Sequence, residues 1–278
     1  MNPTDRIGKR RNRPLFLAGM AAVLSLFPGN SSAAEPAGKS NAPKSVIDPA
    51  RLPAPKRVTV PKLQGILTLD GEFDESVWAK AAVVGPFVIS SNANPESEST
   101  LLRLWYDDTT LYLGWTCTDS DIQATFTEHD SRFWREEVVE LFITSNDLTR
   151  YFELEWNPLG GTFDAIIPNT LDERGVSLGI NGDWTYTAKG MKSAVKVRGT
   201  VQDADNKDES WQVEVAIPFV DIGGAAPKPG DVWRGNFYRF SRGNGLPAEA
   251  LGWTPTILPG FHQPIRFGYL EFGKQAAD

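Results

Sequence analysis

Short-range alternation of apolar and polar residues is the feature that most constrains this chain. Residues 58–272 form a series of brief segments rich in Val, Tyr, Phe, Trp and Thr, broken by turn residues, with few helical periods between them. Segments 101–105 and 111–117 flank Asp107-Asp108-Thr109, a hairpin signature. Segments 138–144, 151–157, 162–167, 195–201, 211–217, 233–241 and 267–272 bring the candidate strands to nine. Such a series predicts an all-β fold: an antiparallel two-sheet β-sandwich, jelly-roll or immunoglobulin-like, in a single domain. One cysteine, Cys117, excludes an intramolecular disulfide, and its place in an apolar run reads as a small buried hydrophobe. The core alone must hold the fold, and a chain of this size buries about 70% of its unfolded surface.

The N-terminus reads as an address. Arg6, Lys9, Arg10, Arg11 and Arg13 precede an apolar run at residues 15–27, followed by Pro28-Gly29 and Ser31-Ser32-Ala33-Ala34. A basic start, a short apolar centre and a small-residue exit describe a secretory signal peptide over residues 1–34, cleaved near Ala34. The run is shorter than the roughly 20 residues that span a bilayer, so no membrane span is expected, and the mature protein belongs in a bacterial periplasm or medium. Residues 35–56 contain five prolines and no hydrophobic period, as a flexible linker would, which leaves 57–274 for the folded domain. Formal net charge is −7 although the leader is basic, and an acidic body makes nucleic acid an unsuitable partner.

Successive strand residues face opposite sides. In segment 151–157, Phe152, Leu154 and Trp156 share a core face, while Tyr151, Glu153, Glu155 and Asn157 share the other. Val139, Leu141 and Ile143 oppose a mixed set of Val138, Glu140 and Phe142, and Arg234, Asn236 and Tyr238 oppose Gly235, Phe237 and Arg239. A face bearing carboxylates, an amide, a phenol and a guanidinium suits solvent or a sugar equally well.

Four ordered segments break this tie: LDGEFDESVW from Leu69, LRLWYDDTTLY from Leu102, WREEVVELFI from Trp134 and RFGYLEF from Arg266. In this order and spacing the chain resembles the family 9 carbohydrate-binding modules, β-sandwiches often appended to xylanases. The resemblance implies that Asp70-Gly71 forms a turn, that Trp78 anchors the core, and that two aromatic rings sandwich a terminal sugar. The first ring is implied at Trp134 of a W-x-x-acid-x-x-E motif with Glu137 and Glu140. The second falls at Phe261, just upstream of Pro264-Ile265-Arg266-Phe267-Gly268. Glu140 matches the family's sugar-bonding acid, and Tyr238 falls near an amide position. Two positions depart from the pattern: Phe261 stands where Trp is usual, and Glu153 where an Arg is expected. Asn157 and Asp164, in the reversal YFELEWNPLGGTFD, either line the site or shape the turn. His262 sits next to Phe261 in a long loop at 243–263, where it either donates to a sugar hydroxyl or supports the loop.

The implied function is an exported, non-catalytic module for a xylan- or glucan-type oligosaccharide or polysaccharide, without an attached catalytic domain, assisting a separate glycoside hydrolase. Rival readings are a glycosidase using a pair among Glu137, Glu140, Glu153 and Glu155, and a DOMON-type haem sandwich with axial ligands from Met191, His129 and His262. No cofactor is expected beyond a structural calcium, for which Asp119, Asp121, Asp130 and Asp164 are oxygen donors without a compact ligand spacing.

Overall fold

A computed structural model describes residues 47–275 apart from 204, 206, 244 and 245. The expected signal peptide, and residues 35–46 of the expected linker, lie outside the described residues. The described part of that linker is tied down: Arg266 Nη1 donates to the Pro53 carbonyl at 2.8 Å, and Tyr269 N to that of Lys56 at 2.9 Å.

The fold is all-β. The strands are β1 (Arg57–Lys62), β2 (Ala82–Val84), β3 (Val88–Ile89), β4 (Thr100–Tyr106), β5 (Thr110–Thr118), β6 (Val138–Thr144) and β7 (Arg150–Trp156). They continue as β8 (Thr162–Leu171), β9 (Ser177–Ile180), β10 (Lys192–Arg198), β11 (Ser210–Pro218), β12 (Val232–Gly243), β13 (Leu246–Gly252) and β14 (Gly268–Gln275). Among the described residues the helical turns are all short 3-10 turns. Hydrogen bonds link the strands in the order β10-β11-β5-β4-β1-β14-β12-β6-β7-β8-β9. Pairing is antiparallel except at β1, which runs parallel to β14 and to β4, a departure from the fully antiparallel expectation. The long loop expected at 243–263 also contains β13, which pairs with β12 and β3.

Trp115 of β5 meets Phe237 of β12 at 5.9 Å, although four steps of the hydrogen-bonded order separate their strands. The sheet must therefore fold back on itself, and it encloses one apolar cluster, which includes Leu102, Leu113, Leu141, Leu154, Trp156 and Val213. A second cluster, including Phe133, Phe142, Tyr151, Phe163, Tyr238, Phe261 and Phe267, covers the opposite face of β6, β7, β8 and β12. Alternation explains both: odd residues of β6 enter the first cluster and even ones face the second. Cys117 is buried in the first cluster, and burial pushes its thiol up to about 12, which leaves it inert.

Trp78 is the expected core anchor. Its Nε1 donates to Glu214 Oε1 at 2.9 Å, and Glu214 Oε2 accepts from the backbone N–H groups of Asp70 and Gly71. Gly71 has φ +86°, and a Cβ there would lie 2.8 Å from the Lys196 nitrogen. Gly71→Ala is therefore expected to cost about 1–3 kcal/mol in a denaturant melt, since both backbone strain and overlap oppose it.

Candidate functional site

Register places the polar residues of the second face in rows. Tyr238, Glu140, Glu155 and Phe163 lie side by side across β12, β6, β7 and β8, and the next row is Asn236, Phe142, Glu153 and Ala165. These rows are not solvated. The segment between β13 and β14 closes over them: Phe261 stacks on Tyr238 with centroids 4.0 Å apart and planes 8° from parallel, and the His262 ring stacks on Phe142 at 5.1 Å.

Beneath that cover, Glu140, Glu153 and Glu155 converge, each offering an oxygen within 4.8 Å of the others. All three are buried. Among the described residues, no N–H or hydroxyl group donates to either oxygen of Glu155 or to Oε2 of Glu153. Burial raises all three carboxyls, Glu153 to about 8 and the other two well above the usual range, and the neighbouring negative charges raise Glu140 and Glu155 further.

Glu137 belongs to a different cluster on the first face. Its Oε1 accepts from the Arg242 backbone N–H, and Oε2 lies 3.7 Å from Arg239 Nη2. Arg239 is fully buried and also pairs with Asp119 at 2.8 Å. Its Nη1 reaches the Thr100 hydroxyl and the Thr118 carbonyl. Burial nevertheless raises the Glu137 and Asp119 carboxyls against the pull of Arg239.

Trp134 reaches the surface, with 36% of its area exposed. It sits in a 3-10 turn, Phe133–Arg135, whose first residue is buried in the second cluster. Three further hydrogen bonds fix this turn. Glu136 N donates to the Phe133 carbonyl at 2.8 Å, and the Glu136 carboxylate accepts from the backbone N–H groups of Thr125 and Phe126. The Trp134 indole meets Phe163 edge-on at 5.7 Å. Across the described residues, then, an aromatic ring is held open to solvent beside a buried acidic face.

A model of carbohydrate-binding family 9 matches residues 87–272, more than half of the chain. The chain belongs to this family. No curated protein matches the sequence. In fold it is similar to a protein of Bacteroides uniformis, at 21% identity over 79% of this chain and 100% of that one, with a TM-score of 0.60. It is also similar to a family 9 module of Caldicellulosiruptor kristjanssonii solved with cellotriose, at 14% identity over 80% of this chain and 95% of that one, TM-score 0.54. The values for a family 9 module of the same organism solved with glucose are 15%, 80%, 98% and 0.53.

The family 9 residues implied by the sequence have unequal surroundings here. Trp134 is open, but Phe261 is only 8% exposed and lies between Tyr238 and Phe240, so the ring meant to face Trp134 spends its surface on the protein. Tyr238 donates to the Phe261 carbonyl at 3.0 Å. Asn157 shapes the turn, its Nδ2 donating to the Phe126 carbonyl and its Oδ1 accepting from Gly161 N. His262 is hydrogen-bonded through Nδ1 to the Tyr151 hydroxyl at 2.7 Å, and burial lowers its pKa to about 4. Glu140 and Glu153 meet as described, but with Glu155, whose i, i+2 spacing from Glu153 signals the shared face.

The aspartates proposed for calcium divide between partners. Asp119 is held by Arg239 and Asp121 by the Gln123 amide, while Asp130 and Asp164 flank His129 Nε2 at 3.4 and 3.8 Å. Sequence reading gave no site role to Trp184, Phe163 or Arg239. Trp184 opens a turn just after the isolated bridge at Asp183 rather than sitting in a strand, so alternation does not mark it.

Proposed function

We propose that this chain is an exported, non-catalytic carbohydrate-binding module, a single two-sheet sandwich domain that takes the end of a xylan- or glucan-type oligosaccharide on the surface around Trp134. Family membership supports a carbohydrate ligand, and relatives of the same fold have been solved with cellotriose and glucose. The observation that carries the reading is the exposed Trp134 indole on a turn anchored by buried Phe133. The C–H face of a sugar packs on an aromatic ring, and a ring already fixed in place loses little entropy on binding.

Catalysis has no support in the geometry. Glu140, Glu153 and Glu155 are close enough to act as a pair, yet they are buried beneath aromatic side chains where no glycosidic bond can enter. A haem with axial ligands from Met191, His129 and His262 is equally unsupported, because Met191 packs against the first cluster, His262 stacks within the second, and His129 is engaged by Thr162 at Nδ1 and lies near Asp130 and Asp164 at Nε2. Should the module carry a structural calcium, the oxygen-only donor set of Glu140, Glu153 and Glu155 suits a hard cation best and would hold it. No helix among the described residues is long and apolar enough to cross a membrane. An exported module of this kind would hold glycan near a separate hydrolase.

Calorimetric titration of the purified protein with cello- and xylo-oligosaccharides tests the reading. The expected result is millimolar or tighter binding that weakens at least about tenfold in Trp134→Ala, a loss of roughly 1.4 kcal/mol. No heat with any neutral oligosaccharide would overturn it.

A further inference from the structure

Phe261 leaves the sugar site short of a second ring, and the structure offers another. Trp184, between β9 and β10, is 49% exposed. Its indole lies 5.8 Å from Phe163, tilted by 46°, while Trp134 meets the same Phe163 ring at 5.7 Å. Phe163 is buried. Two exposed indoles therefore flank one buried phenyl ring, no further apart than the sum of those two distances, a span that a disaccharide can bridge.

Trp184 is also held in place. Its segment is pinned to the edge of β8 by a pair of backbone hydrogen bonds, Asp183 N to the Ile166 carbonyl at 2.7 Å and Ile166 N to that of Asp183 at 3.3 Å. The Asp183 carboxylate then caps the turn, accepting from Thr185 N and from the Thr185 hydroxyl. The indole folds over Gly182, where a Cβ would fall 2.2 Å from the ring. Any side chain at 182 would push it aside. A large apolar side chain at the surface ordinarily has no need of such support, and a pre-positioned one is what stacking on a ligand requires.

We infer that Trp134 and Trp184 together, with Phe163 as the floor between them, form the aromatic clamp for the sugar, and that Trp184 takes the part left by Phe261. This rests on the carbohydrate-binding reading above. The occupant is a pyranose ring or short glycan end, because stacked aromatic faces favour its C–H surfaces while leaving its hydroxyls to solvent and to polar neighbours.

Titration calorimetry with cellotriose and xylotriose on the full protein separates the outcomes. Trp184→Ala should weaken binding at least tenfold, as Trp134→Ala does, with an unchanged circular dichroism spectrum, since half of the Trp184 surface is already in water. Gly182→Val keeps both indoles but displaces one, and should weaken binding by a similar factor. If Trp134→Ala abolishes binding while Trp184→Ala and Gly182→Val bind as wild type, the clamp is wrong and the sugar-binding reading stands. If the wild-type protein binds neither trisaccharide, the reading itself falls and the clamp with it.

Discussion

Glu155→Gln is expected to stabilise this protein at pH 8, by on the order of 2 kcal/mol, and to flatten its stability between about pH 5 and 8. The cause is the set of three carboxyls under the Phe261 cover, with oxygens within 4.8 Å of one another. Burial dominates their titration, and mutual repulsion adds to it for Glu140 and Glu155. In the unfolded chain these groups lose their protons near the usual glutamate value of about 4.3. In the folded chain they keep them to higher pH, Glu153 to about 8. The folded state thus binds more protons over that interval, and stability falls as pH rises through it. The penalty is absent below the unfolded value and complete above the folded ones. Gln removes one of the titrating groups, cannot become charged, and brings two N–H donors next to Glu153, whose Oε2 now has no donor. Urea denaturation at pH 5 and pH 8, with a chelator to exclude a cation as countercharge, measures both effects. A variant no more stable than wild type at pH 8 would show that the three acids do not repel one another in the fold.

That cluster also marks where sequence reading stops. Period-two alternation assigns Glu140, Glu153 and Glu155 to one face with Phe142 and Tyr151, and the register bears this out. It cannot say that the face is covered, because the cover comes from Phe261, His262 and Phe267, more than a hundred residues away. β13 was illegible for a related reason: LPAEALG has little strand propensity, and its pairing with β12 and β3 is what makes it a strand. β1 contains Pro61 and pairs parallel with the last strand of the chain, a non-local contact that no local pattern carries. The family motif pointed to Trp134 through its spacing to Glu137 and Glu140, but the same spacing hid a division. Glu140 falls on the second face, whereas Glu137 precedes the strand and turns toward Arg239. Trp184 had no motif and no alternation to announce it, only a Gly two residues before it.

Arg239→Met should cost about 3–5 kcal/mol at neutral pH, the largest loss expected of any single change here, because it removes the guanidinium that pairs with two buried carboxylates. Arg239 ties together the ends of strands that are far apart in the hydrogen-bonded order. Thr100 opens β4, Thr118 closes β5, Asp119 follows it, and Glu137 stands just before β6. Met fills much of the volume, so the loss reads the charge rather than a cavity. With the guanidinium gone, Asp119 and Glu137, already raised by burial, would hold their protons to still higher pH. The folded variant then binds more protons than wild type, so its deficit is largest at neutral pH and shrinks as acid protonates both carboxyls. Adding Glu137→Gln to Arg239→Met should recover part of the loss, and the double-mutant cycle gives their coupling. Urea melts of the four proteins at pH 7 and pH 4 provide the numbers. A deficit that is the same at both pH values, with no recovery in the double variant, would mean that Arg239 acts through its packing and not as the countercharge of this cluster.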